Sequence, residues 1–188
     1  MQTTSLTSTR SLPLSALHVG IGALVILLTT QIAVELPFTP VPLTGQTFGV
    51  ILVALVLGAR KGAAAAAAYV LAGALGAPVF AHFSSITSLF GPTSGYIVGF
   101  IPAAFVTGFL AERRWMSTSR SMSFVKNIVA GLAGHAVILT CGAAVLTSFV
   151  GTANTFALGV APFLLVDVVK SAIAALILLA QRRTSSTV

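Results

Sequence analysis

Asp167 and Lys170 are two ionisable residues in an otherwise apolar run, Gly159-Val-Ala-Pro-Phe-Leu-Leu-Val-Asp-Val-Val-Lys170. Three apart on a helix, their side chains share a face and can meet. At membrane depth each costs roughly 2.5–3.5 kcal/mol on insertion scales, so such residues are rare and usually functional. Two readings stay open. The pair can neutralise itself and pin helix packing, or it can read a ligand, the carboxylate accepting an N–H and the ammonium donating to an oxygen. Charge-assisted hydrogen bonds of that kind are strong where water is excluded. Phe163, four residues before Asp167, lies on the same face and suits a ligand ring.

Other candidates are weaker. Gln46 opens a short apolar helix, either as a cap on its start or as a donor–acceptor contact to a ligand. Phe38, Phe80, Phe83, Phe90 and Tyr96 cluster near loops. An aromatic belt explains some of them, and an apolar pocket with aromatic walls explains others, with Phe80 and Tyr96 the chosen walls. His82 is a loop histidine beside them. His18, His82 and His135 are scattered without metal-ligand spacing, so neither a metal nor any other cofactor is expected. Cys141 reads as a small packing residue. Ala16 and Gly20, four apart, form a small-xxx-small face suited to internal packing or to docking another helix.

The elements that must hold these residues are membrane helices. Of 188 residues, 56% are hydrophobic and 7% charged, and the mean hydropathy is +1.04. A soluble globular chain carries roughly 25% charged residues. The formal net charge is +7, but the positions of the basic residues explain it without nucleic acid. Six spans are expected, with residues 1–13 as an N-terminal tail, 14–181 as one membrane domain and 182–188 as a C-terminal tail. The first runs from Leu14 to Val34, followed by a loop with Pro37, Pro40 and Pro42 that cannot be helical. A short helix over 45–58 and a turn at Arg60-Lys61 lead to a third helix, 62–76, with six consecutive alanines. A hydroxyl-rich loop spans 77–91, and further spans are expected at about 92–111, 124–149 and 161–181, with 150–160 a loop.

Arg10, Arg60, Lys61, Arg113, Arg114, Arg120, Lys126, Arg182 and Arg183 all fall on the side of the termini, and the opposite loops carry only Glu35. The positive-inside rule therefore puts both termini in the cytoplasm. The loops at 35–44, 77–91 and 150–160 then face outward together, above Asp167 and Lys170.

Several motifs, in this order, resemble the BioY family. They are Pro37-Phe-Thr-Pro-Val-Pro-Leu-Thr44 with Gln46-Thr47, Gly76-Ala-Pro-Val-Phe80, Gly91-Pro-Thr-Ser-Gly-Tyr96, and Pro162-Phe163 with Asp167 and Lys170. The loop over 81–90 is bulkier and more hydroxylated than the glycine-rich loop usual there. The resemblance implies the biotin-binding S component of an energy-coupling factor (ECF) transporter in a bacterial cytoplasmic membrane. It implies an all-α bundle with an outward-facing pocket, capturing biotin from outside. It implies Asp167, Lys170, Gln46, His82, Phe80, Tyr96 and Phe163 as ligand contacts, and Ala16 and Gly20 as the docking face for a transmembrane coupling subunit, itself driven by two ATPase subunits. The sequence has no Gly-x4-Gly-Lys-Ser/Thr phosphate loop, so energy is expected from such partners. Two alternatives stand beside this. One is an S component for another vitamin; the other is a proton-coupled carrier in which Asp167 titrates, although no repeat relates residues 14–91 to 92–181. Without His-Glu-x-x-His or a carboxylate cluster, an enzyme is not expected.

Overall fold

A computed structural model describes residues 11–113 and 119–184 of the chain. Arg10, Arg114 and the outer parts of both expected tails lie outside the described residues. The elements are α1 (Ser11–Thr30), a two-stranded hairpin of β1 (Ala33–Val34) and β2 (Leu43–Thr44), α2 (Gln46–Ala74), 3-10 turns at Ala81–Phe83 and Ile86–Leu89, α3 (Ser94–Glu112), α4 (Arg120–Val150), α5 (Thr152–Gly159) and α6 (Ala161–Thr184). α2 packs on α1 and α3, α3 packs on α4, and α6 closes against α4 and α2.

Helix α1 shows how the bundle sorts its residues. Leu14, Leu17, Ile21, Leu24 and Leu28 are exposed while Ile26 and Thr30 are wholly buried. In an aqueous protein such a stripe would be a liability, but facing lipid tails it is the expected solution. Four described helices are long and apolar enough to cross a membrane, and the protein is a multi-pass membrane protein of mainly helical fold.

Helix α2 is continuous in hydrogen-bonding terms but not in direction. Gly58 has φ 80° and ψ −179°, a region open essentially to glycine alone. Unbroken, the helix would hold residues 53 and 65 about 18 Å apart. Instead, a Cβ placed on Gly22 of α1 would meet Ala65 and Val53, each at 2.9 Å. The arms 46–57 and 59–74 therefore fold back on one another, and Ala65 and Ala66, from the alanine run, are completely buried. The reversal falls at Gly58, ahead of the Arg60-Lys61 pair where the turn was expected. Glu112 at the end of α3 stabilises it, its Oε1 accepting the Ala59 N–H at 3.1 Å. Lys126 Nζ donates to Ala111 O at 2.7 Å and so covers the last carbonyls of α3.

Several boundaries correct the sequence reading. α1 starts at Ser11 and stops at Thr30, so residues 11–13 are helical and 31–34 leave the span to begin the hairpin. Val34 pairs with Leu43 and Ala33 with Thr44; the prolines occupy the connection, where no ladder donor is needed. Residues 152–159, expected as loop, form α5. α6 runs to Thr184, so 182–184 are helical.

Gly58→Ala should destabilise the protein by about 1–3 kcal/mol, since a side chain there is both strained and driven into the Glu112 carboxylate. Thermal unfolding in detergent checks this; an unchanged midpoint would place the reversal elsewhere.

Candidate functional site

The loop end of the bundle encloses a cavity of about 280 Å³. That is close to the lower end of the roughly 300–1,000 Å³ usual for small-molecule pockets, so a compact ligand fits and a large one does not. Every residue singled out from the sequence as a ligand contact lines it: Gln46, Phe80, His82, Tyr96, Phe163, Asp167 and Lys170.

Helix α6 supplies the deep polar end. Pro162 sits in its first turn, where a missing N–H is harmless. Phe163, Asp167 and Ser171 are buried on one face, while Leu164, Leu165, Val168 and Val169 are exposed on the other. Lys170 Nζ donates to Thr44 O and Thr47 Oγ1, each at 2.8 Å. It lies 3.6 Å from Asp167 Oδ1, within ion-pair reach but beyond a hydrogen bond. Asp167 is only 4% exposed, and its Oδ1 has no hydrogen-bond donor. The pair is thus electrostatically balanced, yet the carboxylate is not satisfied within the chain.

Gln46 is not a cap. Gly45 holds that position, with no side-chain hydrogen bond to the helix start. Gln46 Nε2 instead donates to Tyr69 Oη at 2.7 Å, and Tyr69 donates to Val79 O at 3.1 Å. Thr30 Oγ1 lies 3.0 Å from the same phenol oxygen. Tyr69 therefore joins α1, both arms of α2 and the segment leading to Phe80. Its ring stands edge-on to Phe80, centroids 5.4 Å apart at 78°, the arrangement that aromatic quadrupoles favour. Gln31 Nε2 holds the backbone here as well, donating to Phe80 O at 3.3 Å.

Tyr96 forms the opposite wall. Its hydroxyl donates to Gly159 O at 2.8 Å, and its ring lies 6.3 Å from that of Phe163. Only glycine at 142 leaves room for the ring, since a Cβ there would overlap it. Thr39 Oγ1 donates to Leu158 O at 2.7 Å. The proline connection is thereby latched to α5, and the loops converge as expected. The remaining aromatics divide cleanly: Phe80 and Tyr96 are buried, whereas Phe38, Phe83 and Phe90 are exposed.

His82 sits at the rim in a left-handed conformation, φ 55°. Its Nε2 lies 3.6 Å from Glu35 Oε1, both side chains being largely exposed. Ser84, Ser88 and Thr93 also line this side, and Ser84 and Ser88 share a hydrogen bond at 2.7 Å.

Sequence reasoning missed several contributors. Ile138 and Leu139 of α4, with Ile97 and Phe100 of α3, complete the apolar wall, and nothing in their types marked them out. It also set aside His135, which is 2% exposed and stands 3.4 Å from Asp167 Oδ1. The signal was available, for an ionisable residue inside an apolar span is costly whatever its spacing. Among the described residues no His, Cys, Asp and Glu group is placed to hold a metal ion.

Outside the cavity, Ala16 and Gly20 are exposed on α1, and a Cβ on Gly20 would meet nothing within 4 Å. This removes internal packing as their explanation; the inward face of α1 is carried by Gly22, Ile26 and Thr30.

The profile of the BioY family matches residues 1–187. The chain belongs to the BioY family. It is 43% identical over 148 residues to the biotin transporter BioY of Thermotoga maritima, covering 78% of this chain and 83% of that one. It is 36% identical over 176 residues to the biotin transporter BioY of Rhizobium etli, covering 90% and 91%. Its fold is similar to the crystal structure at 2.1 Å of the S component for biotin from an ECF-type ABC transporter, with TM-score 0.81, 20% identity and coverage of 94% and 95%.

Tyr69→Phe should cost about 1–3 kcal/mol, because the carbonyl of Val79 and the amide of Gln46 lose a buried partner together. The fall in unfolding midpoint measures it, and an unaltered midpoint would mean that water replaces the hydroxyl.

Proposed function

We propose that this BioY-family chain binds biotin and serves its uptake across the cytoplasmic membrane. The observation that carries this reading is the buried carboxylate of Asp167, beside Lys170 but accepting no hydrogen bond from the wall of a compact, mostly apolar cavity. A cyclic urea carries N–H donors and a carbonyl acceptor side by side. Asp167 receives a ureido N–H, and Lys170 and Gln46 face the ureido oxygen. Phe80, Tyr96 and Phe163 pack on the fused rings and chain. Lys170 gives two of its three donors to Thr44 and Thr47 and keeps one for the ureido end, so the valerate carboxylate points towards the hydroxyls of Ser84, Ser88 and Thr93 and towards His82. The names of the relatives support the ligand, and the shape of the site supports its pose.

In the membrane, α1, the two arms of α2, α3, α4 and α6 serve as six crossings. Arg60, Lys61, Arg113 and Lys126 lie at the end opposite the cavity, which supports cytoplasmic termini and an outward-facing pocket. The exposed Ala16 and Gly20 face docks a coupling subunit that two ATPases drive.

Four measurements test this. Labelled biotin should bind the purified protein and resist competition by thiamine and riboflavin; displacement by either would transfer the reading to another vitamin. Asp167→Asn and Lys170→Met should each weaken binding by about 1–3 kcal/mol, roughly 5- to 150-fold, with folded yield unchanged. Gly20→Leu should preserve biotin affinity but abolish recovery of a coupling complex. Uptake by vesicles lacking any ATPase, driven by a proton gradient, would overturn the coupled mechanism.

A further inference from the structure

His135 lies behind the cavity wall, on α4, and takes no part in lining it. Its ring is held from two sides: Nδ1 is 3.0 Å from Gly131 O, one turn earlier on α4, and 3.0 Å from Ser171 Oγ on α6. A carbonyl oxygen only accepts, so Nδ1 carries a hydrogen. Nε2 then lies 3.4 Å from Asp167 Oδ1, within ion-pair reach. These two atoms, both closed off from solvent, are buried polar atoms without a hydrogen-bond partner. A bare Nε2 would set a lone pair against a carboxylate oxygen where no water can intervene, which is costly at low dielectric. A hydrogen on Nε2 turns that contact into an attractive, charge-assisted one.

We propose that His135 is the positioning residue of the ligand site: anchored by Gly131 and Ser171, it donates from Nε2 to Asp167 Oδ1 and so leaves Oδ2 to face the cavity. Lys170 alone does not do this, because two of its three donors go to Thr44 and Thr47 and its amino group stays 3.6 Å from the same Oδ1. Lysine and protonated histidine both bring positive charge to the carboxylate, and the histidine sets its rotation. The ligand then meets one oxygen in one orientation. The proposal rests on the biotin reading for the identity of the incoming N–H, but the arrangement of the ring does not depend on it.

Two experiments decide the matter. In the first, the full chain is labelled with 15N-histidine and studied without ligand, the His135 signals being assigned by their loss in H135Q. Both ring nitrogens of His135 should carry hydrogen; a bare Nε2 overturns the proposal without any functional assay. In the second, binding of biotin and of its two mono-N-methyl ureido derivatives is measured for the wild type, H135L and H135Q. H135L should lose at least tenfold in biotin affinity, and H135Q, which keeps an N–H within reach, should recover most of it. The derivative methylated at the nitrogen facing Asp167 should bind the wild type weakly and should change less than threefold in H135L. Equal losses for all three ligands, or H135Q as weak as H135L at unchanged thermal stability, would show mere packing and overturn the proposal. If the wild type binds no biotin, the functional reading fails, while the nitrogen signals still decide the role of His135.

Discussion

Everything at the loop end depends on keeping one carboxylate out of water. An ionised group buried without a partner costs several kcal/mol, and real proteins offset this with opposite charge and well-aligned donors. Asp167 gets its counter-charge from Lys170, one turn along α6. Lys170 in turn can hold its amino group there only because Thr44 O and Thr47 Oγ1 receive it. Thr44 is in place because β2 pairs with β1 and because Gly45 N donates to Ile32 O at 2.8 Å. The last helix is thus tied to the first loop, 126 residues earlier in the chain, through the requirement to neutralise a single oxygen pair.

The rest of the cavity follows a division of labour between fixed and locally bonded parts. Tyr69 and Gln31 fasten the Phe80 side to α1 and α2, and Tyr96 and Thr39 fasten the other side to α5. The segment around His82 is held differently. Phe80 N donates to Ser84 O at 3.0 Å, and Ser84 Oγ donates to Ala81 O at 2.8 Å, bonds that stay within the segment. The result is an apolar chamber with charge at its floor and hydroxyls at its rim. Such a site selects a molecule with polar groups at both ends and little between them.

Features governed by local chemistry could be read from the chain. Asp167 and Lys170 stood out because charge in an apolar run is conspicuous at any distance from its partners, and the aromatic walls followed from their place beside irregular loops. The short second helix and its end at Gly58 were legible too, but not the turn: Arg60 and Lys61 look like a turn because they are polar, whereas the chain reverses at Gly58 because its φ of 80° suits only glycine. Helix α5 was not legible. Gly151 to Gly159 is short and bounded by glycines, its helix formers Ala153, Ala157 and Leu158 offset by Thr152, Asn154 and Thr155, and what holds it is tertiary: Thr147 to Thr155, Thr39 to Leu158 and Tyr96 to Gly159. His135 was lost for a similar reason. Its meaning comes from Ser171, 36 residues away, and metal-ligand spacing was the wrong question to ask of it.

The three acidic residues of the chain sharpen the assignment by contrast. Glu35 is exposed and lies near His82 at the rim, where water and salt make the interaction weak. Glu112 accepts the Ala59 N–H at the opposite end and so supplies the start of the second arm of α2 with a missing acceptor. Each of these carboxylates has a use that the folded chain itself explains. Asp167 does not: it is buried, balanced by a lysine that bonds elsewhere, and left with an oxygen that no donor of the cavity wall reaches. A fold that only needed to close would have replaced this residue with an apolar one of similar volume at little cost and often some gain. Its presence makes sense if the missing hydrogen bonds are made by what enters the cavity and, from behind, by His135.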